Sequence, residues 1–359
     1  MKTWDAIVVG AGIIGIALAL ELNKRGLRVL VVEKGEPGRE ASWAAGGMLC
    51  DFPLETAPAL RELATASAGM YPAFVQELEE ESGLKVDLRA VGTLVFLDVD
   101  TVQSPATTQT YALPLPLAEL EPAMQSSNGA GAGLTPLFVA ECCVDPRDLT
   151  AAAVLAARRR GVEFSSGEQV LAVEVAEGKA SGVRTSKTQF AAGLVVNCAG
   201  AWAGQIGPHG FPTRPVKGQM LCIAMPRKEF VRHVVRTPDV YLIPRSDGRM
   251  VIGATSEEAG FDKQTVPETV ERLRQAAIDM VPELAEAPIL EAWAGLRPGT
   301  PDKLPILGAM PTPGYFVATG HFRDGILLAP VTARVMGQTM TDKTSGIDLS
   351  NFSPTRFSN

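Results

Sequence analysis

The first 33 residues impose an order: strand, glycine turn, helix, strand. Residues 6–9 (AIVV) read as a buried strand, Gly10-Ala11-Gly12-Ile13-Ile14-Gly15 follows at once, residues 13–25 carry helical spacing up to Gly26, and residues 27–32 (LRVLVV) form a second buried strand. Gly10 allows the tight turn, Gly12 allows close approach of a pyrophosphate, and Gly15 lets helix and strand pack closely. The helix start offers unpaired N–H groups and the positive end of its dipole. Glu33 ends the second strand, where its carboxylate can accept both hydroxyls of a ribose. The pattern predicts a dinucleotide-binding βαβ unit at the head of the chain.

The remaining pattern is mixed. Residues 57–82 read as a helix with an acidic, solvated end, 92–100 as a strand, and 101–135 as loops with at most one short helix. Asp145-Pro146 opens a helix that runs to Gly161. A strand pair turning at Glu177-Gly178 and a buried strand ending in Asn197-Cys198-Ala199-Gly200 come next. Residues 215–253 alternate as an antiparallel sheet with a hairpin at Asp247-Gly248. Residues 267–287 are helical, 315–320 a strand, and 325–340 a helix that must tolerate Pro330. A βαβ start, an antiparallel middle and a strand–helix finish predict an α/β chain, α+β overall. A Rossmann-type domain (1–85, 145–212, 300–359) is interrupted by a mainly antiparallel substrate domain (86–144, 213–299).

Composition narrows the partners. A net charge of −7 argues against nucleic acid. Three histidines, and five cysteines without metal-ligand spacing, argue against zinc and for a reducing cytoplasm. The apolar run of residues 6–20 is shorter than the roughly 20 residues a membrane span needs. No integral membrane segment is expected. After Glu33 and Lys34, residues 34–49 (KGEPGREASWAAGGML) are small and bring no new strand. Such a segment suits close backbone approach to a bulky flavin.

One further residue stands out. Residues 293–299 (WAGLRPG) hold a single charge, Arg297. A lone arginine in an apolar segment is paired or functional, because an unpaired buried charge is costly. Asp302 and Glu291 are its candidate structural partners.

Eight segments in order carry a resemblance: VVGAGIIG, EASWAAGGML, VDPRDL, VVNCAGAWA, PVKGQM, YLIPR with GRMVIGAT, WAGLRPGTPDKLPILG and GHFRDGILLAP. Over nearly its whole length the chain resembles the FAD-dependent D-amino-acid oxidase and sarcosine oxidase family, in the glycine oxidase branch of thiamine biosynthesis. The resemblance implies FAD, held by Gly10, Gly12, Ile13, Ile14, Gly15, Glu33 and Lys34, and by Ala41, Ser42, Gly46, Gly47 and Met48. It adds a Val170 backbone contact to the adenosine half and a ring-side loop of His321, Phe322, Arg323, Asp324, Gly325, Ile326 and Leu327. The helix beginning at Gly325 would aim its N–H groups at the flavin edge that turns negative on reduction. No cysteine follows Cys222, so attachment should be non-covalent.

For the substrate, the resemblance implies a carboxylate fork at Arg297, help from the Tyr241 hydroxyl and a ring-side role for Arg323. The plain alternatives are an ion pair for Arg297, a strand aromatic for Tyr241 and loop geometry for Arg323. No base is assigned, since hydride can leave a neutral amine. The expected partners are a small amine or amino acid, O2 and further copies of the chain. Dehydrogenation of an amino or 2-hydroxy acid, with a quinone or other acceptor, stays open. Ser256, Asp239 and Cys50 depart from the branch pattern, in which a methionine, a histidine and often a smaller residue stand there. Cys50 reads best as a buried, inert thiol.

Overall fold

The computed structural model describes residues 3–98, 102, 105–124, 134–341 and 346–357. Within them the strand Thr3–Val9 is the centre of an eight-stranded sheet. It pairs in parallel with Val29–Glu33 on one side and Gln189–Asn197 on the other. Glu163–Ser166 extends the sheet beyond Val29–Glu33, and Tyr315–Thr319 and Ile306–Ala309 extend it beyond Gln189–Asn197. Val170–Ala176 and Lys179–Thr185 form an antiparallel hairpin leading into Gln189–Asn197.

The central strand is apolar without a break because both faces are covered. Ala6 and Val8 pack beneath the helices Ile13–Lys24, Arg61–Ser82, Pro146–Arg159 and Gly325–Met340. Ile7 and Val9 pack on the other side with Val173, Val183 and Tyr315. The helix Pro146–Arg159 starts as the Asp-Pro pair foretells: Asp145 accepts the N–H of Arg147 at 2.9 Å and caps it.

A second, seven-stranded sheet runs in the order Ile289–Gly299, Arg214–Ala224, Arg249–Gly253, Tyr241–Pro244, Val234–Arg236, Thr93–Asp98, Leu134–Val139. Only the contact of Val234–Arg236 with Thr93–Asp98 is parallel. Period-two alternation sorts its side chains. Leu221, Ile223, Leu242 and Ile252 face the helix Pro267–Met280 through Val270, Leu273 and Ala277. Met220, Tyr241, Ile243 and Trp293 face the first sheet's loops.

Several sequence expectations are corrected. The stretch after Glu33 does contain a strand, Met48–Leu49, which joins Cys142–Val144 and Leu88–Arg89 in a small sheet. Two residues are too few to show alternation. Glu163–Ser166 is also a strand, in the stretch just beyond the helix stop at Gly161 to which the sequence assigns no element. The 267–287 helix breaks into an α-helix and a 3₁₀ turn at Pro282, which lacks the N–H that would continue the ladder. The loop reading of 101–135 holds two short helices, Pro105–Thr110 and Leu117–Leu120. Residues 99–101, 103–104 and 125–133 of those readings lie outside the described residues.

Candidate functional site

A cavity of about 660 Å³ runs from the glycine turn, between the two sheets, to Tyr241 and Arg297. At its first end, Gly10 has φ +99°, and a Cβ there would lie 2.6 Å from the Cys198 carbonyl oxygen. A Cβ on Gly15 would lie 2.1 Å from the Gly10 carbonyl oxygen. Both glycines are therefore required by the chain's own packing. Gly12 differs. Its Cβ would meet only the Ser42 hydroxyl, at 3.3 Å, and it lines the cavity. Nothing in the protein fills that space, so the missing side chain leaves a cradle for a ligand at the helix start.

Glu33 is buried and ties this end together. One carboxylate oxygen accepts the N–H of Ala11 at 2.7 Å and the other that of Gly35 at 2.9 Å. Each oxygen keeps a further acceptor site for a ribose hydroxyl. Ser42 accepts the Ile13 N–H at 2.9 Å and so sits on the helix end. Lys34 lies 3.0 Å from the Trp202 ring centroid and 3.2 Å from Glu40. Burial lowers the Lys34 pKa, and Glu40 pulls part of the way back. Ile14, Ala41, Gly46, Gly47, Met48 and Val170 also line the cavity.

The reason for Gly47 is sharper than close cofactor approach. Its φ is +84° and its Cβ would collide with the Val144 carbonyl oxygen at 1.9 Å. Buried Arg245 braces the same loop, donating to the carbonyls of Val144 at 3.0 Å and Gly46 at 2.6 Å. Sequence reasoning did not single out Arg245; an arginine ending a buried strand was the available signal.

The substrate-side residues are brought together by strand register. Arg297 pairs with Val216, and its guanidinium lies over Gly218, where a Cβ would come within 2.5 Å of both terminal nitrogens. Gly218 therefore makes the room Arg297 occupies. Arg297 donates to the Thr255 carbonyl at 2.9 Å and, more weakly, to that of Lys217 at 3.5 Å. Neither candidate ion pair forms. Asp302 is held by Arg356 at 2.8 Å and Glu291 by Arg147 at 2.5 Å. The Tyr241 hydroxyl reaches over Gly253 toward the Met220 sulfur at 3.6 Å. Burial raises the Tyr241 pKa, and the nearby Arg297 charge offsets part of the rise.

Arg323 takes a different position. It lines the cavity but is exposed, and it donates to the Glu55 carbonyl at 2.8 Å. It thus joins its loop to segment 50–56, which covers the cavity. Buried Arg236 ties the same segment down through Glu55 at 2.5 Å and Glu141 at 2.7 Å. Neither Glu55 nor Arg236 was singled out from sequence. Cys50 adjoins Glu55, and burial pushes its thiol well up, so it stays protonated. Ser256 and Asp239 line the cavity as well.

In the ring-side loop, His321, Phe322, Asp324, Gly325 and Ile326 line the cavity. Gly15 and Leu327 do not: Gly15 serves helix–strand packing, and the Leu327 side chain is in the core. The Phe322 N–H bonds the Pro298 carbonyl at 2.9 Å, which fixes the loop to the strand bearing Arg297. Asp324 precedes the helix Gly325–Met340, and burial pushes its carboxyl up to about 6 against the pull of Arg323.

His321 is buried, 3.1 Å from the Thr332 hydroxyl, and burial lowers its pKa to about 3. It is neutral at neutral pH and unsuited to take a proton. Its folded pKa lies below the unfolded value near 6.5, so its contribution to stability is complete above pH 6.5 and is lost as pH falls toward 3. Between pH 6.5 and 5 the loss should be about 2 kcal/mol. Denaturant unfolding of wild type and His321→Asn across this range tests it: the variant should show the flatter acid limb, Asp324 being common to both.

Among the described residues no group of three or more His, Cys, Asp and Glu is placed to hold a metal. No helix there is long and apolar enough to cross a membrane.

A glycine cradle at a helix start, a buried acid with free acceptor positions beside it and a cavity continuing onto an antiparallel sheet fit a dinucleotide-cofactor enzyme of two-sheet architecture. The chain belongs to the DAO family of FAD-dependent oxidoreductases, whose pattern matches residues 5–339. It is 37% identical to the glycine oxidase of Pseudomonas aeruginosa over 362 residues, covering 97% of this chain and 98% of that one. It is 32% identical to the hydrogen cyanide synthase subunit HcnC of the same species, over 99% of this chain and 97% of the other. The crystal structure of glycine oxidase from Geobacillus kaustophilus superposes with a TM-score of 0.91 over the full length of both chains, at 31% identity. The protein is an FAD-dependent oxidoreductase, and Gly12, Glu33, Ser42 and the Gly325 helix start are the residues that fit this cofactor.

Proposed function

We propose that the chain oxidises glycine, sarcosine or a small D-amino acid to an imine, which water hydrolyses to a 2-oxo acid and ammonia or the alkylamine, while O2 takes the electron pair with two protons and leaves as H2O2. The observation that carries this reading is Arg297: a guanidinium at the cavity with backbone carbonyl partners and no carboxylate among its described contacts. A substrate carboxylate supplies the missing anion, bound by the planar fork and by the Tyr241 hydroxyl. Bound FAD supplies a two-electron acceptor beside the substrate.

The chain's own groups then do three things. Arg297 and Tyr241 fix the acid end, so that the amine-bearing carbon is presented in one orientation. The segment 50–56, clamped by Arg236 and Arg323, limits water access. His321, neutral and held by Thr332, is not a proton acceptor here, and none is needed when hydride departs from an already neutral amine. The N-terminus of the helix Gly325–Met340 faces the cavity and favours negative charge there. We place the activity in the cytoplasm, where the five unpaired cysteines remain reduced.

Anaerobic mixing of holoenzyme with glycine, sarcosine, D-alanine, D-proline or larger N-alkyl glycines should bleach the flavin with at least one of them. Oxygen should then restore its absorbance rapidly. No bleaching by any amine would refute the substrate class, and very slow reoxidation would make the protein a dehydrogenase with another acceptor.

A further inference from the structure

The strand Arg214–Ala224 turns Gly218 and Met220 toward the cavity and Lys217 and Gln219 away from it. Those outward side chains are nonetheless fully buried, because segment 254–266 folds over them. The Gln219 N–H donates to the Thr255 hydroxyl at 2.8 Å, and its side-chain amide donates to Glu257 at 2.9 Å. Its amide oxygen accepts the Val266 N–H at 2.6 Å. The Thr255 hydroxyl donates to the same Glu257 oxygen. Glu257 also exchanges backbone hydrogen bonds with Lys217, both 2.9 Å, and Lys217 closes the segment through Asp262 at 2.5 Å.

The output of this network is one peptide group. Thr255 has its hydroxyl locked by Gln219 and Glu257 and its carbonyl set against Arg297 at 2.9 Å. Glu257 and Gln219 do not line the cavity themselves. We propose that Glu257, acting through Thr255 and with Gln219, positions Arg297, holding one guanidinium edge on the Thr255 carbonyl so that the other faces the substrate acid. The proposal rests on the reading of Arg297 given above. Burial opposes ionisation of Glu257, but the hydrogen bonds from Thr255 and Gln219, with the Lys217 charge, outweigh it and keep its pKa below the ordinary value. The network is therefore anionic and intact at neutral pH.

Acetate, a carboxylate without an amine, is the probe, its binding read from the flavin spectrum of the holoenzyme. Glu257→Ala should weaken acetate and raise KM for the amine substrate by about tenfold each, the size ordinary for residues sharing one hydrogen-bond network. The kcat should stay within about twofold, since the chemical step is untouched. Glu257→Gln keeps the acceptor oxygen and should restore most of the binding. In an Arg297→Ala background, Glu257→Ala should leave kcat/KM unchanged. Thr255→Val gives the same test if Glu257→Ala does not fold. Unchanged acetate affinity in folded, FAD-replete Glu257→Ala and Thr255→Val overturns the proposal, as does an undiminished Glu257→Ala effect in the Arg297→Ala background. If the wild type binds no acetate, the carboxylate reading of Arg297 fails by itself. The crystal structure of Glu257→Ala then decides the positioning claim: a displaced guanidinium supports it and an unmoved one overturns it.

Discussion

Arg297→Ala should raise KM for the amine substrate by at least about 30-fold while FAD content stays near that of wild type. The magnitude follows from the roughly 2–5 kcal/mol lost when one partner of a buried, hydrogen-bonded charge pair is removed. Among the described residues Arg297 donates to the carbonyls of Thr255 and Lys217 and lies beside Tyr241, and no carboxylate pairs with it, so its loss breaks no ion pair there. It does leave the space above Gly218 open to water. Arg297→Lys should recover only part of the loss, because an ammonium cannot reproduce the two-pronged geometry. Steady-state kinetics beside the flavin absorbance of each purified variant measures both quantities. An unchanged KM would return Arg297 to a structural role.

Gly10→Ala should have the largest effect on the cofactor. The position combines φ +99° with a Cβ site 2.6 Å from the Cys198 carbonyl oxygen, a backbone atom that cannot rotate aside. Backbone strain costs of order 1–3 kcal/mol and overpacking a similar amount. The turn must open to relieve it, which would move the N–H groups placed to meet a pyrophosphate. The purified variant should carry little FAD, and added FAD should raise its Tm much less than that of wild-type apoprotein. Gly26→Ala is the control. Gly26 also has a positive φ, +87°, but nothing lies within 4 Å of its Cβ site. It should lose a little stability and keep its FAD. Stoichiometric FAD in Gly10→Ala would show that the turn does not govern cofactor binding.

The first half of the site was legible because its logic is local. Gly10, Gly12, Gly15 and Glu33 lie within one βαβ unit, where a short window contains the turn, the helix start and the acid together. Arg297 was legible as an oddity, since it is the single charge between Trp293 and Gly299. Its lack of a carboxylate was not. Asp302 and Glu291 are near in sequence, and only the fold assigns them to Arg356 and Arg147. Arg236, Glu55 and Glu141 could not be assembled from the chain at all, because they meet across separations of 95 and 181 residues. Gly47 lines the cavity as expected of it, and the fold adds a requirement the sequence did not show, the Val144 carbonyl against its Cβ site. The strands missed include pieces of two to four residues, Met48–Leu49 and Glu163–Ser166, too short for alternation to declare itself, and also the 11-residue Ile289–Gly299, whose register with Arg214–Ala224 places Arg297.

The central claim is that Arg297 answers to an acid on the substrate, beside the flavin. Anaerobic titration of holoenzyme with paired amines that differ only by that acid tests it: glycine against methylamine, and sarcosine against dimethylamine. The carboxylate-bearing member of at least one pair should bleach the flavin, and its carboxylate-free counterpart should not at the same concentration. Equal bleaching by both members of each pair, or bleaching by the simple amines alone, would contradict it.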